Sequence, residues 1–286
     1  MENGHIRQEW YRRCEEYHQI QYPLWWDVMQ REWNDGEFQN SFWHVGSTSY
    51  YIRLNETSFL VDPVWLIPGA FDQVSDRLES SFRGLDLVIF THEHGDHFMP
   101  EQIHRLRELP IRWIVPRCME ELVLRTGIPS GNCIVMDPGD EIRVKDIRIK
   151  GYAGHHHYLD GSRGPESMMY TVESQSRKLF FPADVRDFDP AFIPEGMHFD
   201  AVFMHMYLSR ANGYDYPFSE YYERYVNYVS ALDTEKIFIG HLYGFQCGHP
   251  DKIWNYMHAG MIQDGLFCLR PEIEVIVPRV GRRYDL

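Results

Sequence analysis

An α/β fold carried by one main domain is what this sequence predicts, and three observations predict it. Short apolar runs rich in branched and aromatic residues alternate with segments of roughly ten residues that carry a helical period. The histidine- and aspartate-bearing stretches fall directly after those apolar runs, at strand ends where α/β folds place functional loops. No Pro/Gly/Ser linker divides the 286 residues, a length that can bury one large core.

Taken in order, residues 6–34 read as helical, because Trp10, Tyr11, Cys14 and Tyr17, then Trp25, Trp26, Met29 and Trp33, recur at helical spacings. Pro23 removes a backbone donor and should split this stretch into two helices. Trp25, Trp26 and Trp33 are too apolar to leave in water. Residues 1–40 are therefore expected to form a helical extension packed on the core as a cap; lining a pocket or a dimer contact are the other uses weighed. Residues 41–62 read as a β-meander, turning at Asn55-Glu56. Residues 85–90 form a buried strand, 100–109 a helix, 111–115 a strand and 119–125 a helix. Strands follow at 134–136 and within 141–153, then at 170–173 and 178–182 around the polar turn 174–177. A strand at 199–204, an amphipathic helix at 219–232, a strand at 236–240, a helix near 251–260 and a strand at 273–277 finish the chain.

The densest chemistry lies in Thr91-His92-Glu93-His94-Gly95-Asp96-His97, immediately after the strand at 85–90. His92 and His94 can converge on one ion while Asp96 and His97 reach a second beside it. Imidazole nitrogens and carboxylate oxygens suit zinc, iron or manganese. A polar surface loop that happens to be rich in histidine is the bland alternative, but unpaired His and Asp at a strand end have no packing role.

This His-x-His-x-Asp-His motif after an apolar strand resembles that of the metallo-β-lactamase-fold hydrolases. The order of later residues supports the resemblance: Asp62 closes an apolar run before the motif, and His155 after Ala153-Gly154, Asp184 after 179–183 and His241 after 237–240 follow it. The resemblance implies a four-layered αββα sandwich over residues 41–286 as the hydrolase domain. It implies His92, His94 and His155 for the first ion, Asp96, His97 and His241 for the second, with Asp184 bridging. Asp62 would brace the metal loop from behind. Among His155, His156 and His157, strand parity from 147, 149, 151 and 153 places His155 and His157 inward and His156 outward. The small pair Ala153-Gly154 and the family's spacing then favour His155, leaving His157 nearer the substrate.

The chemistry expected is a metal-bridging hydroxide that cleaves an ester, lactone or phosphodiester bond of a small substrate. The cofactors would be two divalent ions, zinc foremost, with manganese or iron open. Asp96 and Asp184 carry the catalytic centre, and His205, after the strand at 199–204, is a candidate general acid, weighed evenly against a hydrogen-bonded core histidine. His157, Arg163, Tyr207 and Tyr243 are candidate substrate contacts, and Arg163 and Arg186 could take an anionic substrate in a bidentate grip, with surface salt bridging the default alternative for each. Within the family the compact chain is most similar to the lactonase and phosphodiesterase-type branch, such as the ascorbate-6-phosphate lactonases.

Composition narrows the rest. A formal net charge of −14 and the lack of a Lys/Arg stripe weigh against a nucleic-acid substrate, and so against the rival of an RNA-processing nuclease of the same fold. A redox diiron protein is a second rival. Flavin-coupled members of the fold typically carry a carboxylate where this chain has His94, and append a flavin domain. A metal-binding regulator without turnover is a third. Five scattered cysteines, no membrane-length apolar run and no apolar signal core in residues 1–17 place the expected protein in the cytoplasm, with a homo-oligomer left open.

Overall fold

The computed structural model describes residues 2–46, 48–64, 70–157, 162–208, 219–242 and 256–286. It opens with α1 (Glu2–Asp35), followed by an antiparallel set β1 (Ser41–His44), β2 (Tyr50–Leu54) and β3 (Thr57–Val61). Two short helices, α2 (Ala70–Val74) and α3 (Leu78–Ser81), lead to β4 (Leu87–Ile89). Then come α4 (Pro100–Leu106), β5 (Arg112–Pro116), α5 (Glu120–Leu124) and β6 (Cys133–Met136). The second half runs β7 (Glu141–Val144), β8 (Ile147–Ala153), β9 (Met168–Glu173), β10 (Lys178–Phe181), β11 (Ala201–His205), α6 (Ser219–Ser230), β12 (Lys236–Gly240), α7 (Tyr256–Leu269), β13 (Glu274–Ile276) and β14 (Arg283–Asp285).

The described residues form two seven-stranded sheets, ordered β14-β1-β2-β3-β4-β5-β6 and β13-β12-β11-β10-β9-β8-β7. In each, an antiparallel part gives way to parallel strands, at β3–β4 in the first and β10–β11 in the second. The central strands are buried on both faces, and alternate residues serve two different cores. Trp43, Tyr51, Leu60, Val88 and Trp113 point to the core under the helices of the first half. Their neighbours Phe42, Tyr50, Phe59, Leu87 and Ile114 meet Leu179, Phe181, Phe203 and Phe238 between the sheets. Phe180, Val202, Met204, Ile237 and Ile239 pack outward, with residues of α6 and α7. The result is a helix–sheet–sheet–helix sandwich, the αββα layering expected.

Pro23 does not split the first helix; α1 is continuous through it. A mid-helix proline costs about 3 kcal/mol, and here the buried face of the helix offsets that loss. Tyr22, Trp26, Met29 and Trp33 are buried. Tyr22 Oη donates to the Val45 carbonyl, Trp26 Nε1 to Ser81 Oγ and Trp33 Nε1 to the Ser81 carbonyl, each at 2.9 Å. Burying three aromatic polar tips with their partners satisfied ties the helix down on both sides of Pro23. The helix expected near 251–260 is described from Tyr256 and runs on to Leu269, while α2, α3 and β14 were not anticipated. Among the described residues no helix is long and apolar enough to cross a membrane.

Candidate metal centre

Every candidate donor sits where a strand delivers it. Asp62 follows β3, the 91–97 loop follows β4, His156 follows β8, Asp184 follows β10, His205 ends β11 and His241 follows β12. Three of these junctions carry a left-handed backbone at a residue other than glycine: Asp62 (φ 43°), Ala183 (φ 55°) and His241 (φ 63°). Such positions cost on the order of 1 kcal/mol or more each, and they turn the chain sharply enough to aim the side chains inward.

Asp184 is the hub. His205 Nδ1 donates to its Oδ1 at 2.8 Å and Arg186 Nη2 to its Oδ2 at 3.1 Å. Around it stand His97 Nε2 at 3.3 Å, His156 Nε2 and His241 Nε2 at 3.7 Å, and His92 Nε2 at 3.8 Å. The donors fall into overlapping sets with all atoms of a set within 4.8 Å of one another: His92, His94, His156 and Asp184; Asp96, His97 and His241; and His97, Asp184 and His205.

Asp62 lies behind this cluster. Its Oδ1 accepts the Thr91 N–H at 2.8 Å, and its Oδ2 accepts Thr91 Oγ1–H at 2.6 Å and His97 Nδ1–H at 2.8 Å. Thr91 Oγ1 in turn lies 3.0 Å from His92 Nδ1. One buried carboxylate thus fixes the ring of His97 directly and that of His92 through a hydroxyl, turning both Nε2 atoms inward. Thr48 Oγ1 ties down the Asp96 carbonyl at 2.6 Å, and His241 Nδ1 faces the Met206 carbonyl at 3.3 Å while its Nε2 meets Asp96 Oδ2 at 3.1 Å.

The structure does not bring His155 into the cluster. His156 takes that place, buried, with its ring centroid 5.0 Å from that of His92 and 4.7 Å from that of His94. His155 turns away, its Nδ1 3.3 Å from Asp187 and its ring stacked on Phe192. The parity argument fails because β8 ends at Ala153, so strand alternation stops before the histidines. Gly154 then packs its backbone against Ser167, where a β-carbon would collide, and donates to the Ser167 carbonyl at 2.8 Å. A β-carbon at Gly164 would overlap the His156 carbonyl and ring, so segment 162–167 closes tightly over His156 and seats it.

Other candidate contacts are scattered. Arg163 is 70% exposed and paired with Glu166 at 2.6 Å. His157 bridges to Arg163 through the backbone and, with His155, Cys118 and Glu166, lines a cavity of about 560 Å³ beside the 162–168 segment. Tyr207 is buried under the Arg186 guanidinium, 4.4 Å away. Tyr243 lies outside the described residues. His205 lies beside the cluster, its Nδ1 hydrogen-bonded to Asp184 Oδ1.

Electrostatics divide the site. Burial alone would push His97 down, but Asp184, Asp62 and Asp96 outweigh it and hold the ring well above the ordinary imidazole value. Burial would likewise raise Asp184 and Asp96; the neighbouring His241 and His97 instead keep both well below the usual carboxylate range. Burial pushes His92, His94 and His205 down, and burial followed by Arg186 takes His156 down to about 3. Buried, aligned nitrogen and oxygen donors are costly unless something binds them. His97 Nε2 is such a group, buried and without an aligned hydrogen-bond partner. The donors therefore fit divalent ions.

A family model described as the beta-lactamase superfamily domain matches residues 57–236. The chain belongs to the beta-lactamase superfamily. Within the superfamily, the probable L-ascorbate-6-phosphate lactonase UlaG of Salmonella choleraesuis is 28% identical over 181 residues, 61% of this chain and 41% of that protein. The chain thus spans about two-fifths of the length of this curated relative, and about a quarter of an Escherichia coli counterpart at 24%. Among solved structures, CmlA, a diiron beta-hydroxylase from Streptomyces venezuelae, aligns with a TM-score of 0.64 at 17% identity, covering 87% of this chain and 54% of CmlA. The metallo-beta-lactamase fold protein YhfI from Bacillus subtilis aligns with a TM-score of 0.59 at 14% identity, covering 85% of this chain and 98% of YhfI. These two likenesses show that the superfamily member has the metallo-β-lactamase fold.

Proposed function

We propose that this chain is a metal-dependent hydrolase with a dinuclear centre, cleaving an ester, lactone or phosphodiester bond of a small substrate. The observation that carries the reading is Asp184, one buried carboxylate standing between a His92–His94–His156 set and a His97–His241–Asp96 set. His92, His94, His156 and Asp184 would hold one ion; Asp96, His97, His241 and Asp184 the other. Divalent ions, when bound, supply Lewis acidity and make water nucleophilic near neutral pH. The imidazole-rich donor set favours zinc over manganese.

The chain's own part is orientation and protection. Asp62 and Thr91 keep the rings of His97 and His92 in one tautomer and one direction. His205 and Arg186 hold the two oxygens of Asp184 apart, each on its own hydrogen bond. Cys118, Cys133 and Cys268 are free thiols, in keeping with a reducing compartment such as the cytoplasm. Lactonase chemistry is supported by the UlaG similarity, which covers 61% of this chain.

Reconstitution with zinc, a metal count per chain, and assay against a panel of esters, lactones and phosphodiesters test the proposal. Two ions per chain and turnover that a chelator abolishes are the expected results; no more than trace metal after reconstitution would end it. The likeness to CmlA favours a second reading, a diiron oxidoreductase. Iron as the retained metal, with a visible absorption band and no hydrolysis, would replace the first reading with this one.

A further inference from the structure

Helix α1 is held to the core by one face, where Tyr22, Trp26, Met29 and Trp33 are buried. The opposite face is not polar, as a helix packed on one side only would have it. Tyr17, Ile20, Leu24 and Val28 stand there, between 38% and 65% exposed. They recur at spacings of three, four and four, which places them in one stripe along the helix. Apolar residues scattered singly over a surface need no explanation, but a contiguous row opposite a buried face marks a contact surface. The hydrogen bonds of Tyr22, Trp26 and Trp33 to the body of the protein hold α1 in place, so a partner meets a preformed face.

What covers the stripe follows from the residues at its ends. Arg13 extends it before Tyr17, and Arg31 and Asp35 extend it after Val28; all three are exposed. From Arg13 to Asp35 the row keeps within roughly 80° of arc along roughly 33 Å of helix. Its spacings of four, three, four, four, three and four read the same in both directions about Leu24. A second α1 laid antiparallel on the first, with a two-fold axis at Leu24, therefore matches the row position by position. Leu24 meets its own copy and Ile20 meets Val28. The Tyr17 ring meets the Arg31 guanidinium, and Arg13 meets Asp35. Both polar matches are favourable, one a cation on an aromatic face and the other an ion pair of opposite sign. A parallel pairing would instead set Arg13, Arg31 and Asp35 each against the same charge.

We propose that this face of α1 is a self-association surface, on which a second copy of the chain docks through its own α1 in antiparallel two-fold register centred on Leu24. The proposal goes beyond the metal centre and stands or falls independently of the hydrolase reading.

Sedimentation equilibrium of the full chain, from about 1 to 100 µM, tests it. The expected result is a reversible dimer. Leu24→Glu, which sets two carboxylates face to face on the axis at a site outside the core, should raise the Kd of the dimer about a hundredfold or more, with the far-UV spectrum unchanged. Arg13→Glu and Asp35→Arg should each raise it about fivefold. Both changes in one chain should restore it, because the facing charges are exchanged but still opposite in sign. A wild-type chain that stays monomeric throughout the range would overturn the proposal, as would a dimer that Leu24→Glu leaves at wild-type affinity. A double reversal no tighter than the single changes would overturn the antiparallel register, since positions 13 and 35 would then not face each other.

Discussion

The two halves of the centre are built differently. The His97 half is braced by hydrogen bonds: Asp62 fixes His97, Thr48 fixes the Asp96 loop and the Met206 carbonyl faces His241. In the opposite half His156 is seated by segment 162–167 closing across Gly164; each half has one partly buried donor, Asp96 in the first and His94 in the second. Carboxylates surround His97 and favour its charged form, while burial favours the neutral form of His92, His94 and His156. The comparison separates a proton-holding half, braced by hydrogen bonds, from a neutral half whose His156 is seated by loop packing.

Asp184 serves both halves, so its loss is expected to have the largest effect. Asp184→Asn should lower hydrolytic activity at least about a hundredfold and weaken both ions, with the far-UV spectrum unchanged. An active Asp184→Asn protein retaining two ions would show that the halves do not share this carboxylate.

Next comes the choice between neighbouring histidines. His156→Ala should cost one ion per chain by elemental analysis, whereas His155→Ala should keep both. The reverse outcome would return His155 to the role expected from strand parity and undo the description of the neutral half.

Asp62→Asn sharpens the comparison from the other side. It should weaken the ion held by His97 about 10- to 100-fold, and Thr91→Val, which touches His92 through one hydroxyl, should do less. Competition against a coloured chelator measures both, and equal losses would mean that the brace does not distinguish the halves.

A smaller effect concerns pH. The folded metal-free protein holds a proton on His97 well above the pH at which an unfolded imidazole would lose it, so this group adds stability below pH about 6.5 that is lost as pH rises through its raised value. Metal loading must displace that proton. Affinity for the ion on the His97 half should therefore rise with pH from 6 to 8, while the ion on the neutral half, whose imidazoles are already deprotonated there, should change little. Two ions with the same pH slope would contradict the electrostatic division.

Much of this was legible in the sequence. The apolar runs ending at Asp62, Thr91, Asp184 and His241 mark strands and the residues they deliver, because runs this short and this rich in branched and aromatic residues fit strands buried on both faces better than helices. Three features were not legible, each for a physical reason. Helix α1 passes through Pro23 because tertiary hydrogen bonds from Tyr22, Trp26 and Trp33 outweigh a local penalty. His156 replaces His155 because parity ends with β8 at Ala153, and the deciding contacts come from Gly164 and Ser167, outside that strand. Arg186 looked like one of two equivalent arginines until burial and the Tyr207 ring separated it from Arg163; the short spacing Asp184-x-Arg186 was its only local signal.

Anomalous diffraction from crystals of the zinc-reconstituted protein tests the central claim most directly. The account predicts two peaks, one ringed by His92, His94 and His156 and the other by Asp96, His97 and His241, with Asp184 between them. A single peak, or a peak bounded by His155 with Asp184 remote from it, would contradict it.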